Sequence, residues 1–543
     1  MDKRENFDCH TVEEGLAFVE RKLKELRIQK QIYNQDILVT EELLTKIFQL
    51  GGGHSVRIKT LYSFGEYSIR FIFPCGVPFE LINDEDETDI GGRILSHYAE
   101  RIRTKYRSGT MTVTVLVEQS YTRYARLSMI AVLLAIVSAL LLTKFAPQEL
   151  RNFMENRLLW LIESIFTKAI CLIATPVTFF CIASNIANCS GLSDRYPNVK
   201  KLVARYMSTS VVAVIIGYLI FLLIRPLLSG IVFPEYQLKN AVMVNVSDIW
   251  LAIYGIVPES ILYPFSSGAT LPTFFLAAIS GVAVAALDRQ TGQTKERLDA
   301  IRDLFCKMLA VIFHFSPIIV FLCVFELIIY HGLIVLLYQM LCIVAGILCC
   351  FAIAVSYTIP LAISRISPIR LLRVMWRSFW NAFLIGSAED AIPDTIKDCS
   401  EKLNLPKRPL EVAIPLGAEF NMDGNCGVQM LLVLILAEIS GMELSIQTIL
   451  IVGLFILAIA FGAPSQPGSI TVGVMIILPQ IGLSTQLVTT ALLIEIATSR
   501  FLTMTNVIGD VVCAELIGER ERRRMQKWWA ENEKVSDFHE HKM

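Results

Sequence analysis

Two aspartates occupy places where an aspartate is expensive. Asp423 lies in the stretch Ile414-Pro-Leu-Gly-Ala-Glu-Phe-Asn-Met-Asp-Gly, ahead of an apolar run from Val428 to Leu436. Asp510 ends the motif Thr503-Met-Thr-Asn-Val-Ile-Gly-Asp, again among apolar residues and again preceded by an asparagine. A carboxylate at bilayer depth costs about 2.5–3.5 kcal/mol, so such an acid faces a cavity, a counter-ion or a transported cation. Two of them suggest a pathway for ions. Hard cations take oxygen ligands, and an unwound helix exposes carbonyls that a continuous helix keeps for its own ladder. The alternative for Asp423 is an acid paired to a basic residue, but no Lys or Arg lies within two helical turns of it.

The composition sets the medium these acids sit in. The chain has 543 residues, 54% of them hydrophobic and 18% charged, with a mean hydropathy of +0.54. That is too apolar for an ordinary soluble globule, and an integral membrane protein is predicted. A net charge of -1 gives no reason to expect nucleic acid as a partner. The 13 cysteines form no C-x-x-C pair and fall mostly in apolar segments, as Cys171, Cys181, Cys342, Cys349 and Cys350 do. They read as small buried hydrophobes, not as zinc ligands or disulfide partners.

The elements that must position the acids follow from periodicity. Before Leu127 there is no apolar run, so no cleavable leader is predicted and the first 120 or so residues read as a soluble region. In it, Leu16, Val19, Leu23 and Leu26 recur at helical spacing, Asp36 opens a second helical stretch, and a helix follows Gly92. Tyr67, Ile69, Phe71 and Phe73 alternate as a half-buried strand, and Met111 to Val117 as another. Apolar spans follow at about 127–145, 157–187, 202–232, 247–288, 303–331 and 332–364. Basic residues cluster after every second span: Lys200, Lys201 and Arg205; Arg289, Lys295, Arg297 and Arg302; Arg365, Arg370, Arg373 and Arg377. By the positive-inside rule those loops, the soluble region behind Arg123 and Arg126, and the tail from Arg520 to Lys527 with Trp528 and Trp529 are cytoplasmic. Residues 378–395 and 447–484 are apolar but interrupted by Asp390, Pro393, Pro464, Pro467 and Gly468, as re-entrant hairpins would be. Each is followed by a span with an internal polar break, Asn421-Met-Asp-Gly in one and Asn506-Val-Ile-Gly-Asp in the other. Paired interruptions of this kind mark a secondary transporter built from inverted repeats around a midplane site.

Over roughly residues 125–518 the chain resembles the dicarboxylate/amino acid:cation symporter family, the glutamate-transporter-like elevator proteins, which are themselves built from inverted repeats. The likeness rests on Asn421-Met-Asp-Gly, on Glu401-Lys-Leu-Asn-Leu-Pro-Lys-Arg leading to Ile414-Pro-Leu-Gly-Ala, on Thr175-Pro-Val-Thr-Phe-Phe, on Val257-Pro with Leu271-Pro, and on Ser316-Pro-Ile-Ile-Val-Phe. It implies an all-α polytopic membrane protein with eight transmembrane helices and two re-entrant hairpins, preceded by a small soluble α/β domain. It also implies a homotrimer in the lipid bilayer, with a scaffold at about 127–288 and a moving transport unit at about 303–517. No enzymatic activity and no covalent cofactor are implied; the coupling ion is sodium, with protons as the other candidate.

The resemblance also assigns residues. One sodium site takes Tyr206, Thr209, Ser210, Asn421 and Asp423; a second takes Gly417, Asn421, Asn506 and Asp510; a third takes Met422 and Ala463. Read from the residues alone, Tyr206, Thr209 and Ser210 could equally be polar groups satisfying a helix backbone. Substrate contacts fall on Ser387, Ala388, Asn425, Gln466, Ser499, Leu502, Thr503 and Asn506, and here the chain departs from the family. The first hairpin tip reads Ser387-Ala-Glu-Asp in place of a serine run, Leu502 stands where an arginine binds an acidic side chain, Ser499 where an aspartate binds an amino group, and Asn425 replaces a threonine. Loss of the bidentate guanidinium points to a small amino acid or carboxylate whose side chain no arginine reads, a neutral amino acid being favoured. Arg500, about 200° round the helix from Leu502, is assigned to Glu389 or Asp390, an independently solvated arginine being the alternative. Glu419 is a candidate proton carrier.

Residues 10–118 resemble the ATP-binding fold of anti-sigma-factor and histidine kinases, with Lys46 at the magnesium-binding Asn position and Pro74 at the adenine-binding Asp position. Thr40-Glu-Glu-Leu-Leu-Thr-Lys-Ile, Phe73-Pro-Cys-Gly-Val-Pro-Phe and Asp89-Ile-Gly-Gly-Arg-Ile-Leu carry the likeness. A lysine cannot hold magnesium, so a degenerate regulatory domain with a cytoplasmic partner is expected, an unrelated α/β interaction domain being the alternative. The predicted domains are 1–122, 123–518 and a basic tail at 519–543. A transporter-like receptor signalling through residues 10–118 is the second functional reading. A membrane-anchored ATPase is disfavoured by Lys46 and Pro74.

Overall fold

The computed structural model describes residues 6–25, 30–50, 55–63, 66–75, 95, 102–107, 109–117, 122–145, 147, 159–195, 199–228, 249–291, 293–462 and 468–540. It divides into two compact units, Met1–Arg123 and Tyr124–Met543.

In the first unit a five-stranded antiparallel sheet is formed by β1 (Asn6–Cys9), β2 (Val56–Ser63), β3 (Glu66–Pro74), β4 (Ile102–Arg107) and β5 (Thr110–Val117), in the order β1-β2-β3-β5-β4. The alternation predicted for β3 holds, since Tyr67, Ile69, Phe71 and Phe73 are all buried. These residues share one core with Phe18, Val19 and Leu23 of α1 (Val12–Glu25) and Val39, Leu43, Leu44 and Ile47 of α2 (Lys30–Leu50). Asp36 does not open a helix: α2 starts six residues earlier, at Lys30, and Asp36 is buried within it. Lys46, at the Asn position of the resemblance, is also buried, and Pro74 ends β3 paired with Thr110. Of the predicted helix after Gly92 and the two glycine-containing turns, most lies outside the described residues.

In the second unit, among the described residues, seven helical stretches are long and apolar enough to cross a membrane, and one bent pair makes an eighth. In chain order the helices are α3 (Thr122–Phe145), α4 (Trp160–Arg195), α5 (Val199–Leu228), α6 (Ile249–Tyr254), α7 (Tyr263–Ser267), α8 (Thr270–Thr291), α9 (Thr294–Phe313), α10 (Ser316–His331), α11 (Ile334–Ser356) and α12 (Thr358–Ile363). The fourth predicted span is thus not one helix: α6 and α7 precede α8, which alone is long enough to cross. The fifth is α9 and α10, bent by 46° beside Pro317.

The last third forms two hairpins, each followed by a long helical stretch. The first hairpin is α13 (Pro368–Ile385) and α14 (Ile392–Leu403). Ser367 caps α13 by accepting from Arg370 N, and Gly386 ends it in a left-handed conformation. The hairpin starts ten residues before the predicted 378, so Arg370, Arg373 and Arg377 sit on its first arm and not in a loop. Next come α15 (Lys407–Phe420) and α16 (Asp423–Ile439), separated by Asn421 and Met422 at ψ 61° and 48°. This is the predicted break. The second hairpin is α17 (Ile446–Ala460) and α18 (Ser469–Gln480), its tip at 463–467 lying outside the described residues. The final helix, α19 (Val488–Glu540), runs unbroken through Asn506 and Asp510, against the break expected there. Asn506-Val-Ile-Gly-Asp has one glycine and no proline, and its asparagine side chain bonds outward and leaves the ladder intact.

Packing does not follow chain order. Helix α4 packs on α8 and α9, whereas α5 packs on α16 and α11, and α11, α13, α15 and α18 all pack on α19.

Candidate functional site

The break between α15 and α16 frees the groups around which the site is built. In an unbroken helix Gly424 N would bond Phe420 O; here it donates to Asn506 Oδ1 at 2.8 Å, across to α19. Asn421 Nδ2 donates to Asp510 Oδ1 at 2.9 Å, and Asn421 Oδ1 accepts from Thr209 Oγ1 at 3.0 Å. One carboxamide therefore links α5, the break and α19. Asp423 begins α16, where the helix N-terminus favours negative charge. Its Oδ1 accepts from Ser210 Oγ at 2.6 Å and its Oδ2 from Tyr357 Oη at 2.7 Å. Asp423 is 0% exposed and Asp510 1%, and among the described residues neither makes an ion pair. That removes the reading of Asp423 as half of a salt bridge.

Gly417 explains how α19 comes so close. A Cβ there would collide with the Asp510 carboxylate and lie 3.0 Å from the Tyr206 hydroxyl. Tyr206 itself donates to Ala413 O at 2.8 Å, so its hydroxyl proton is spent on α15, while its backbone carbonyl accepts from Thr209 Oγ1 at 2.9 Å. Tyr206, Thr209, Ser210, Gly417, Asn421, Asp423, Asn506 and Asp510 are thus brought together. Met422 joins through Asn425 Nδ2, which lies 3.5 Å from its sulfur. Ala463 lies outside the described residues.

The residues assigned to substrate are less unified. Asn425 donates to Ser469 Oγ at 2.8 Å on the second hairpin and accepts from Asn506 Nδ2 at 3.4 Å. Ser499 and Thr503 bond back to their own helix, at Ile496 O and Ser499 O. Leu502 is buried with its backbone against Gly424. Ser387 accepts from Asp390 N and so shapes the first tip, next to buried Ala388. Gln466 lies outside the described residues. Among the ion pairs seen between described residues, none joins Arg500 to the first hairpin tip, where it was assigned to Glu389 or Asp390. The first hairpin meets α19 through Phe383 edge-on to Phe501 at 5.0 Å, an aromatic contact one residue away from Arg500.

Two residues were missed. Tyr357, at the end of an apolar span, holds one oxygen of Asp423. Glu495 is buried on α19 and caps α18: its carboxylate accepts from Gly468 N at 2.8 Å, Ile470 N at 3.3 Å, Thr471 N at 2.8 Å and the Thr471 hydroxyl. The signal for Glu495 was the one used for Asp423, an acid inside an apolar run, Ala491-Leu-Leu-Ile-Glu-Ile.

A multi-pass membrane protein whose hairpins and broken helix surround two buried, unpaired aspartates has the architecture of a secondary transporter. The sodium:dicarboxylate symporter family matches residues 126–519, and the chain belongs to that family. Its relatives include excitatory amino acid transporter 3 of Mus musculus, 28% identical over 163 residues, which are 30% of this chain and 31% of that protein. Excitatory amino acid transporter 1 of Bos taurus is 23% identical over 299 residues, 54% and 55% of the two chains, and that of Homo sapiens is 23% identical over 295 residues, 53% and 54%. The chain thus spans about half or less of the length of these curated relatives.

Proposed function

We propose that this protein is a secondary active transporter that couples the sodium gradient to symport of a small amino acid or dicarboxylate, by an elevator-type alternating-access mechanism. The observation that carries this reading is the pair Asp423 and Asp510, buried without a basic partner among the described residues, with Asp510 held by Asn421 in the helix break that Asp423 follows. Such carboxylates call for a cation, and loading that cation is then coupled to closure of the site. Sodium is held by Tyr206, Thr209, Ser210, Gly417, Asn421, Met422, Asp423, Asn506 and Asp510. The substrate lies against Ser387, Ala388, Asn425, Gln466, Ser499, Leu502, Thr503 and Asn506. Leu502 in place of an arginine favours a substrate without a second carboxylate. The relatives named as excitatory amino acid transporters favour an amino acid over a dicarboxylate.

In place of a division by chain order at about 127–288 and 303–517, α4, α8 and α9 form the scaffold and α5, α11 and α13 to α19 move together, a reading supported by the packing of α4 on α8 and α9 and of α5 on α16. The protein works as a homotrimer with both termini cytoplasmic. Radiolabelled uptake into proteoliposomes, with sodium and pH gradients varied separately against a panel of neutral amino acids, aspartate and succinate, tests the proposal. Sodium-driven uptake of a neutral amino acid is expected. Micromolar uptake of aspartate or succinate alone would overturn the substrate preference, and uptake driven by pH alone the choice of ion. A second reading, a solute receptor signalling through residues 10–118, is favoured by the separate core of the first unit. Counterflow separates the two, because a receptor binds without exchange.

A further inference from the structure

The first arm of the first hairpin, α13, has a face that the transport reading does not use. Its buried side, Leu371, Met375, Ser378, Phe379, Ala382 and Ile385, accounts for its packing within the unit. Ile369, Leu372, Trp376 and Trp380 are 71%, 46%, 49% and 45% exposed and fall on one stripe of the helix. The two indoles stack at 6.0 Å, and Trp380 stacks on Phe383 at 5.0 Å. About 90° further round lie Arg370, Arg373 and Arg377, all exposed. Among the described residues none of the three makes an ion pair. The neighbouring α12 ends the sixth span with Ile359 and Ile363 exposed at 63% and 79%, so the apolar stripe adjoins a lipid-facing surface.

We propose that this face binds an anionic glycerophospholipid, with the phosphate held by Arg370, Arg373 and Arg377 and an acyl chain lying along Trp376 and Trp380. Indoles settle at the level of the headgroups, and guanidinium forks match phosphate oxygens in pairs. Arg377 is ten residues from the capping Ser367, about 15 Å along the helix. An arginine that far into a lipid-facing helix requires a counter-charge, and the described protein residues supply none. A zwitterionic headgroup brings its own ammonium and offsets none of the three positive charges, whereas an anionic one leaves its phosphate charge free to offset one of them. The proposal depends on membrane insertion alone and not on the transported solute.

Tryptophan quenching tests it in proteoliposomes of full-length protein containing brominated phosphatidylglycerol or brominated phosphatidylcholine. The relevant signal is the fluorescence lost in the Trp376→Phe/Trp380→Phe variant, which subtracts the other four indoles. Half-quenching of that signal is expected at no less than about tenfold lower mole fraction of the anionic lipid, since each basic residue near an anionic headgroup is worth about 1 kcal/mol and about 1.4 kcal/mol is tenfold. In Arg370→Gln/Arg373→Gln/Arg377→Gln, and in part in Arg377→Gln alone, the two lipids should quench alike. Equal quenching in the unmodified protein, or a preference that survives the triple change, would overturn the proposal. Absence of quenching by either lipid would also overturn it, because a second copy of the chain would then cover the face.

Discussion

Asp423 is satisfied by hydroxyls, not by a cation of the protein, and that difference governs what its replacement does. Asparagine keeps the shape but loses the charge, and its amide nitrogen faces a hydroxyl, from Ser210 or Tyr357, that must then turn and accept. The ion it would neutralise loses its main attraction, a loss of roughly 3 kcal/mol or about a hundredfold in sodium affinity. Asp423→Asn and Asp510→Asn should each abolish sodium-dependent uptake at ordinary sodium concentrations, and uptake with unchanged sodium dependence in both would remove the basis of the proposed function. Tyr357→Phe is the finer test. It deletes one charge-assisted hydrogen bond, about 1.5–3 kcal/mol, and leaves the ring to pack. The sodium concentration for half-maximal uptake should rise roughly tenfold or more while expression and assembly stay normal. An unchanged sodium curve would mean that the Asp423 orientation does not depend on Tyr357.

At the scale of elements, much of this architecture can be read from the chain because its interruptions are chemical. Pro415, Asn421 and Gly424 announce the break between α15 and α16, and Pro464, Pro467 and Gly468 announce a hairpin. The same signs misled at Asn506, because an asparagine breaks a helix only when its side chain competes for the local backbone, and this one bonds Gly424 N on another helix. Tyr357 was invisible, since a tyrosine at the end of an apolar span normally marks the interface, and only the approach of α11 to α16 turns it inward. Glu495 was legible but overlooked. Its carboxylate fastens the returning arm of the second hairpin to α19 through three backbone N–H groups and one hydroxyl. Glu495→Gln replaces an acceptor oxygen by a donor, at a cost of about 1–3 kcal/mol. The variant should unfold at lower temperature in scanning fluorimetry and lose most uptake, with Asp at 495 less harmful to folding than Ala. A Gln variant equal to the unmodified protein on both measures would show that the cap is not what holds α18.

For the whole molecule the decisive contact is the one between the second hairpin and the helices grouped around α4. Gln480 Nε2 donates to Thr270 Oγ1 at 2.7 Å, Asn185 Nδ2 donates to Phe461 O at 3.0 Å, and Phe461 packs on Phe274 at 5.5 Å. A few polar bonds over an aromatic contact form a surface that can slide, since each bond is worth only about 0.5–1.5 kcal/mol net and can be remade one or two turns along. In an elevator every one of these contacts must break and reform in each cycle, whereas a transporter that only opens and shuts its hairpin tips could keep Gln480 against Thr270 throughout. Thr270→Cys/Gln480→Cys, joined by a short bifunctional methanethiosulfonate, tells the two apart. Cross-linking should stop sodium-driven uptake, reduction should restore it, and each single cysteine variant should be insensitive to the reagent. Cross-linked protein that still transports at the unlinked rate would leave α18 stationary against α8, and the moving unit would have to be sought elsewhere in the chain.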